Sequence, residues 1–166
     1  NLKKEIELIK DELKKFKIKP DYKNNLNLHE NLKNLNKQFS KVKIENIKKD
    51  KNKNIIKDKK IGNILIREQI LKDFPSKELR GIIDQGKKDI KSGIIACISI
   101  FEDKVGLAVG ITQDLTSKYD AVDLVKSASE ILGGKGGGGR KDFAQAGGVD
   151  KDKIEEAFKV ISKKIN

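Results

Sequence analysis

The residues best spaced to do chemistry lie in one glycine-rich segment, GGKGGGGRKDFAQAGG, at residues 133–148. Gly133, Gly134, Gly136, Gly137, Gly138, Gly139, Gly147 and Gly148 surround Lys135, Arg140, Asp142 and Gln145. Glycine admits positive φ and carries no side chain, so successive backbone N–H groups can converge on an anion. Lys135 supplies a point charge, and Arg140 a planar fork able to grip a phosphate through two hydrogen bonds. The segment also precedes a predicted helix, whose first turn favours negative charge. These features predict a cradle for a phosphate or sugar-phosphate. No Gly-Lys-Ser/Thr end follows the glycines, so the segment is not read as a nucleoside-triphosphate loop. The same glycine content would suit a flexible tether, but tethers seldom carry an ordered Arg-x-Asp-x-x-Gln run between two helices.

No catalytic or metal-binding constellation accompanies that segment. His29 is the only histidine and is read as a surface residue. Cys97 is the only cysteine, falls inside an apolar run and reads as a small buried side chain. One of each supplies neither a zinc site nor a nucleophile–base pair. Asp114, Asp120 and Asp123 read as turn and helix-start residues. A lone cysteine leaves no intrachain disulfide, which fits a reducing, cytoplasmic setting. No apolar run approaches the ~18–20 residues of a membrane span. The chain opens on Asn1 and contains no methionine, so it is read as a piece of a longer protein.

The elements that must position the glycine segment follow from hydrophobic spacing. Leu2, Ile6, Ile9, Leu13 and Phe16 form one helical stripe, and Leu28, Leu32, Leu35, Phe39 and Val42 a second. Pro20, Asp21, Asn24 and Asn25 break between them, which predicts a coiled-coil-like antiparallel helical hairpin over residues 1–54. Residues 48–60 are a charged run and read as a boundary. Beyond it a strand is expected over 61–71 and a helix over 76–91, capped by Ser76. A strand hairpin follows over 93–101 and 105–112, then helices over 120–132 and 150–165, the last capped by Asp150. The expected class is α+β: a helical hairpin, then a small α/β domain over residues 55–166 with a mixed or antiparallel sheet and about three helices. Charge follows the same division. Residues 1–60 hold 19 lysines against nine carboxylates, whereas residues 61–166 are nearly balanced. A basic half suits a polyanionic partner, and equally a solvated lysine-rich helix.

The segment GGKGGGGRKDFAQAGG resembles the glycine-rich signature near the C-terminus of alanyl-tRNA synthetases. The order of elements across residues 55–166 is similar to the final globular domain of that family, one of the DHH-associated domains that also accompany phosphodiesterases and related nucleic-acid enzymes. Four glycines separate Lys135 from Arg140 where the family pattern often has three. The match of Arg140, Asp142, Ala144, Gln145, Gly147 and Gly148 is unaffected. The resemblance implies a region that binds the tRNA for alanine and promotes dimerisation through its helical part. ATP-dependent aminoacylation and zinc-dependent editing would then belong to upstream domains. ATP, Mg and Zn are implied only for that parent enzyme, and no cofactor for this chain. The alternatives are the substrate-binding domain of a DHH-type phosphodiesterase and a purely structural dimerisation module.

Overall fold

The computed structural model describes residues 1–165. It divides into two compact units, Asn1–Lys49 and Asp50–Asn166. The first contains α1 (Leu2–Lys15) and α2 (Leu28–Lys49). Both expected stripes turn inward: Ile6, Leu13 and Leu35 are buried and are flanked by Ile9, Leu28, Leu32, Phe39 and Val42. The connection is tied by Asn31, which is fully buried. Its side chain accepts from Lys23 N at 2.8 Å and donates to the carbonyls of Lys23 and Leu26. Asn27 caps α2 reciprocally: its Oδ1 accepts from Glu30 N, and Glu30 Oε2 accepts from Asn27 N.

The second unit is built on a six-stranded mixed sheet. Its strands are β1 (Asn54–Ile61), β2 (Ile64–Lys72), β3 (Ile94–Phe101), β4 (Lys104–Ile111), β5 (Gly137–Gly139) and β6 (Phe143–Gly148), in the spatial order β1-β2-β3-β4-β6-β5. Only β2 and β3 run parallel, joined through α3 (Leu79–Ile90); every other pairing is antiparallel. On the opposite face, α4 (Ala121–Ile131) and α5 (Ile154–Ile165) close a core with Ile98, Leu107, Val109, Leu124 and Phe158. The α+β class, the mixed sheet and the three helices of this unit agree with the sequence reading.

Three local expectations change. The charged stretch at 48–60, read as a boundary, does hold the division between the units at Lys49 and Asp50, but from Asn54 it also carries β1, because its charges find partners across the hairpin. Asp58 lies opposite Arg67 and receives its Nε at 2.9 Å and its Nη2 at 3.1 Å, and Lys59 pairs with Glu68. Gly62, at φ +59°, makes the turn that splits the expected 61–71 strand. Neither expected cap side chain is used. A 3-10 turn at Ser76–Glu78 leads into α3 with no side-chain cap, and Asp150 caps the 3-10 turn before α5 with its carbonyl, which accepts from Lys153 N, while its carboxylate lies 3.7 Å from Lys153 Nζ and bonds no backbone amide among the described residues. Asp120 does cap α4, accepting from Val122 N at 2.9 Å.

Helix α3 and the 3-10 turn before it lie directly on β4 because Gly110 and Gly106, respectively, present no side chain there. A Cβ on Gly110 would fall 2.2 Å from Ile83 Cγ2, and Ile83 is itself fully buried. Overpacking of this kind typically costs ~1–3 kcal/mol. Gly110→Ala is expected to lower stability by about that amount in urea unfolding. Gly138→Ala, where nothing lies within 4 Å of the added carbon, should stay within ~0.5 kcal/mol of the parent chain.

Candidate nucleic-acid interface

Strands β5 and β6 are joined by Arg140, Lys141 and Asp142, and the carbonyls of all three accept hydrogen bonds. Arg140 N donates to Phe143 O at 2.7 Å, and Phe143 N returns a bond to Arg140 O at 3.3 Å. Lys141 O accepts from Ala121 N, the first residue of α4, at 2.9 Å. Asp142 O accepts from Ile111 N at 2.9 Å and from Lys87 Nζ at 2.8 Å. Three separate elements therefore hold a three-residue turn. From it the Arg140 side chain projects 67% exposed, its Nε only loosely engaged by Asp142 Oδ1 at 3.7 Å. Ordering a long side chain on a ligand costs entropy, and a fixed backbone keeps that cost to the side chain alone.

Two further cations come from α3. The Arg80 guanidinium sits 4.7 Å above the centre of the Phe143 ring. Lys87 is partly buried over Gly110, and burial pushes its pKa below the ordinary lysine value. The nearby carboxylates of Asp142 and Asp84 oppose that shift, while the positive charges of Arg80 and Arg140 reinforce it. Lys87 thus feels both arginines, which puts Arg80, Lys87 and Arg140 in one electrostatic neighbourhood. The sequence reading did not single out Arg80 or Lys87. Their separation of seven residues on a predicted helix, with Asp84 between, places all three on one helical face and was the available signal.

The glycine segment is a strand pair and not a loop leading straight into a helix. Gly133 ends α4 at φ +75°, and Gly134 is pressed against β6, where a Cβ would fall 2.0 Å from Gly147 O. Lys135 is exposed just before β5, with Gly136 beside it, and Arg140 stands at that strand's other end. The structure therefore joins Arg140 and Asp142 in one turn but keeps Lys135 away from them. Gln145 points to the 3-10 turn before α3, donating from Nε2 to Ser76 O at 2.7 Å. Gly147 and Gly148 end β6, the latter against Leu132. β5 is an edge strand made of Gly137, Gly138 and Gly139 alone. Arg140 and Phe143 form a hydrogen-bonded pair, so the alternation of an antiparallel ladder turns the amides of Gly137 and Gly139 outward along the open edge.

The remaining reactive side chains lie apart. His29 is exposed on α2, and Cys97 is buried in β3, where burial pushes its thiol pKa up. Among the described residues no three His, Cys, Asp or Glu side chains are grouped to hold a metal ion, and no helix is long and apolar enough to cross a membrane.

The mixed sheet with its packed helices is a fold shared with a known domain class. The DHHA1 domain model matches residues 62–166, and the chain belongs to that family. Its relatives carry a more particular name. Over 103 residues the chain is 48% identical to the alanine–tRNA ligase of Rhodopseudomonas palustris, and over 107 residues 49% identical to that of Paramagnetospirillum magneticum. These matches take in 61% and 60% of the chain but 12% of each relative, in its C-terminal region. Among solved structures, the C-Ala domain of Aquifex aeolicus alanyl-tRNA synthetase superposes with a TM-score of 0.61 at 28% identity, covering 65% of this chain and 96% of that one. A DHH-domain protein described as a member of a family of ribosomal proteins shares the fold, with a TM-score of 0.51 at 19% identity over 86% of this chain and 35% of its own. The resemblance read from the glycine-rich segment is borne out at the level of the family.

Lys87 is the side chain that ties α3 to the basic turn. Lys87→Met keeps the apolar stem but removes the bond to Asp142 O. Amide exchange at Ile111 and Ala121, both donors to this turn, should speed up, while exchange in β3 stays unchanged. The pKa of Lys87 is lower in the folded chain, so the unfolded chain binds this proton more tightly. Stability of the parent chain should therefore rise with pH just below the ordinary value of 10.5, and this rise should be absent from Lys87→Met.

Proposed function

We propose that this chain is a tRNA-binding and self-associating region of an alanine–tRNA ligase. It would hold the tRNA for alanine while aminoacylation and editing proceed on upstream domains of the same cytoplasmic enzyme. The observation that carries the reading is the Arg140 turn: an exposed guanidinium on a backbone anchored from β4, α3 and α4, beside Arg80 and next to a bare strand edge. Folded RNA is gripped through shape, phosphate and 2′-hydroxyl contacts more than through base edges. Fixed cations and outward amides are suited to that task. Lys135 and the lysines of the helical unit add phosphate contacts around this centre. The similarity to alanine–tRNA ligases supports RNA as the polyanion.

The structure also selects the variants for the test. A side chain on Gly137 would strike Gln145 O at 2.2 Å, so its replacement would damage the sheet itself. Gly138 faces open space, and a valine there obstructs the edge while leaving the pairing intact. In tRNA titrations at several salt concentrations, Arg140→Ala should cost about 1–3 kcal/mol. It should also reduce the slope of log affinity against log salt by ~0.7–0.9. Gly138→Val should weaken binding with the slope nearly unchanged. If both folded variants bind tRNA like the parent chain, with the same slope, the interface lies elsewhere.

Self-association requires apolar surface that the first unit does not already use. Leu35 is fully buried within it, whereas Leu8 is 66% and Phe16 38% exposed. Leu8→Asp should therefore lower the associated fraction in sedimentation velocity without changing helix content. An unchanged sedimentation profile would rule out this face.

A further inference from the structure

At the end of β6 remote from Arg140, the sheet and the 3-10 turn before α3 border a cleft of about 460 Å³. That volume lies within the range of small-molecule sites. Gly106 lies at its base: a Cβ there would fall 2.3 Å from Ser76 Cβ and 2.8 Å from Ser99 Oγ, so any side chain would fill this corner. Ser99 is 1% exposed, lines the cleft, and its hydroxyl has no hydrogen-bond partner among the described residues. A buried hydroxyl left unpaired is costly, and such groups in folded proteins normally meet a partner, water or ligand. Phe101, 39% exposed, lines the same space. Lys77 and Lys104 bring two amines, against the single carboxylate of Glu102.

We propose that this cleft is a nucleotide site. It takes one nucleoside 5′-monophosphate unit, with the base stacked on Phe101, the phosphate at Lys77 and Lys104, and the Ser99 hydroxyl bonded to the base or ribose. A phosphate alone would leave both the aromatic face and most of the volume unused. A purely apolar ligand would leave Ser99 unpaired and both amines without a counter-charge. An aromatic face accepts any base, because every base has a π-face to stack. The unit arrives either as a free nucleotide or as an unstacked nucleotide of a bound RNA, and only the second source rests on the RNA-binding reading above.

The test is an amide-shift titration of the isotope-labelled full chain with AMP, CMP, GMP and UMP in turn, with the matching nucleosides and inorganic phosphate as controls. At least one monophosphate should saturably shift the amides of Ser76, Ser99 and Gly106, and its nucleoside and phosphate alone should each bind at least about tenfold more weakly. Phe101→Ala and Ser99→Ala, with folding checked by thermal unfolding, should each weaken the monophosphate, the former about tenfold. No saturable shift at these amides in the millimolar range would overturn the proposal. So would phosphate binding as tightly as every monophosphate, or indifference to both substitutions. A tRNA titration separates the sources. Weaker tRNA binding by Phe101→Ala identifies an RNA nucleotide as the occupant, whereas monophosphate binding with tRNA affinity unchanged identifies a free one. If the parent chain binds no tRNA at all, the RNA reading falls, and the monophosphate titration still decides the site.

Discussion

The close approach of helix α3 to strand β4 is the constraint on which the rest of the second unit depends. It exists because Gly110 and Gly106 carry no side chains on the face that α3 and its leading 3-10 turn cover. Ile83 occupies the space a Cβ on Gly110 would need, and Ser76 the space of one on Gly106. With the helix this low on the sheet, Lys87 reaches over Gly110 to Asp142 O, Arg80 lies on Phe143, and Ser76 O receives Gln145. The Arg140 turn and the cleft under Ser76 are thus two ends of one packing arrangement. A helix lifted by a single methyl group would loosen both.

The two edges of the sheet show how the molecule treats exposed backbone. An open edge invites pairing with another chain, and charged side chains discourage it. At β1 the edge carries Lys57, Lys59 and Lys60, held to the hairpin by the Asp58–Arg67 and Lys59–Glu68 pairs. At β5 the edge carries no side chains at all. Its protection is brevity, at three residues, and the cation that follows it. An edge bare enough to admit a phosphate next to a guanidinium differs in kind from one shielded by lysines.

The helical unit divides its residues differently. Its apolar stripes are used within the unit, where Leu13 and Leu35 are fully buried. Three of its lysines pair along α1, Lys10 with Glu7, Lys14 with Asp11 and Lys15 with Glu12. Exposed pairs of this kind contribute little to stability and are screened by salt. The lysine excess of this region therefore stays at the surface, and among its apolar side chains Leu8 and Phe16 are the large ones that remain exposed.

Much of the fold was legible in the sequence because it is written in local periodicity. The two helical stripes, the β3–β4 hairpin around Glu102 and Asp103, and the Asp120 cap all depend on residues within a few positions of each other. The family could also be read, since it is carried by a contiguous run from Gly133 to Gly148. Tertiary structure alone decided that the charged run at 54–61 is a strand, because its charges are matched only by β2 across the turn. It alone made Gly137–Gly139 an edge strand, since glycine has no β preference of its own and pairs there because β6 lies alongside. Arg80 and Lys87 joined Arg140 only through the packing of α3 on Gly106 and Gly110, which brings Lys87 to Asp142 across 55 positions of chain. A chain's own order specifies which groups are available; which of them share a field depends on long-range packing that local spacing does not encode.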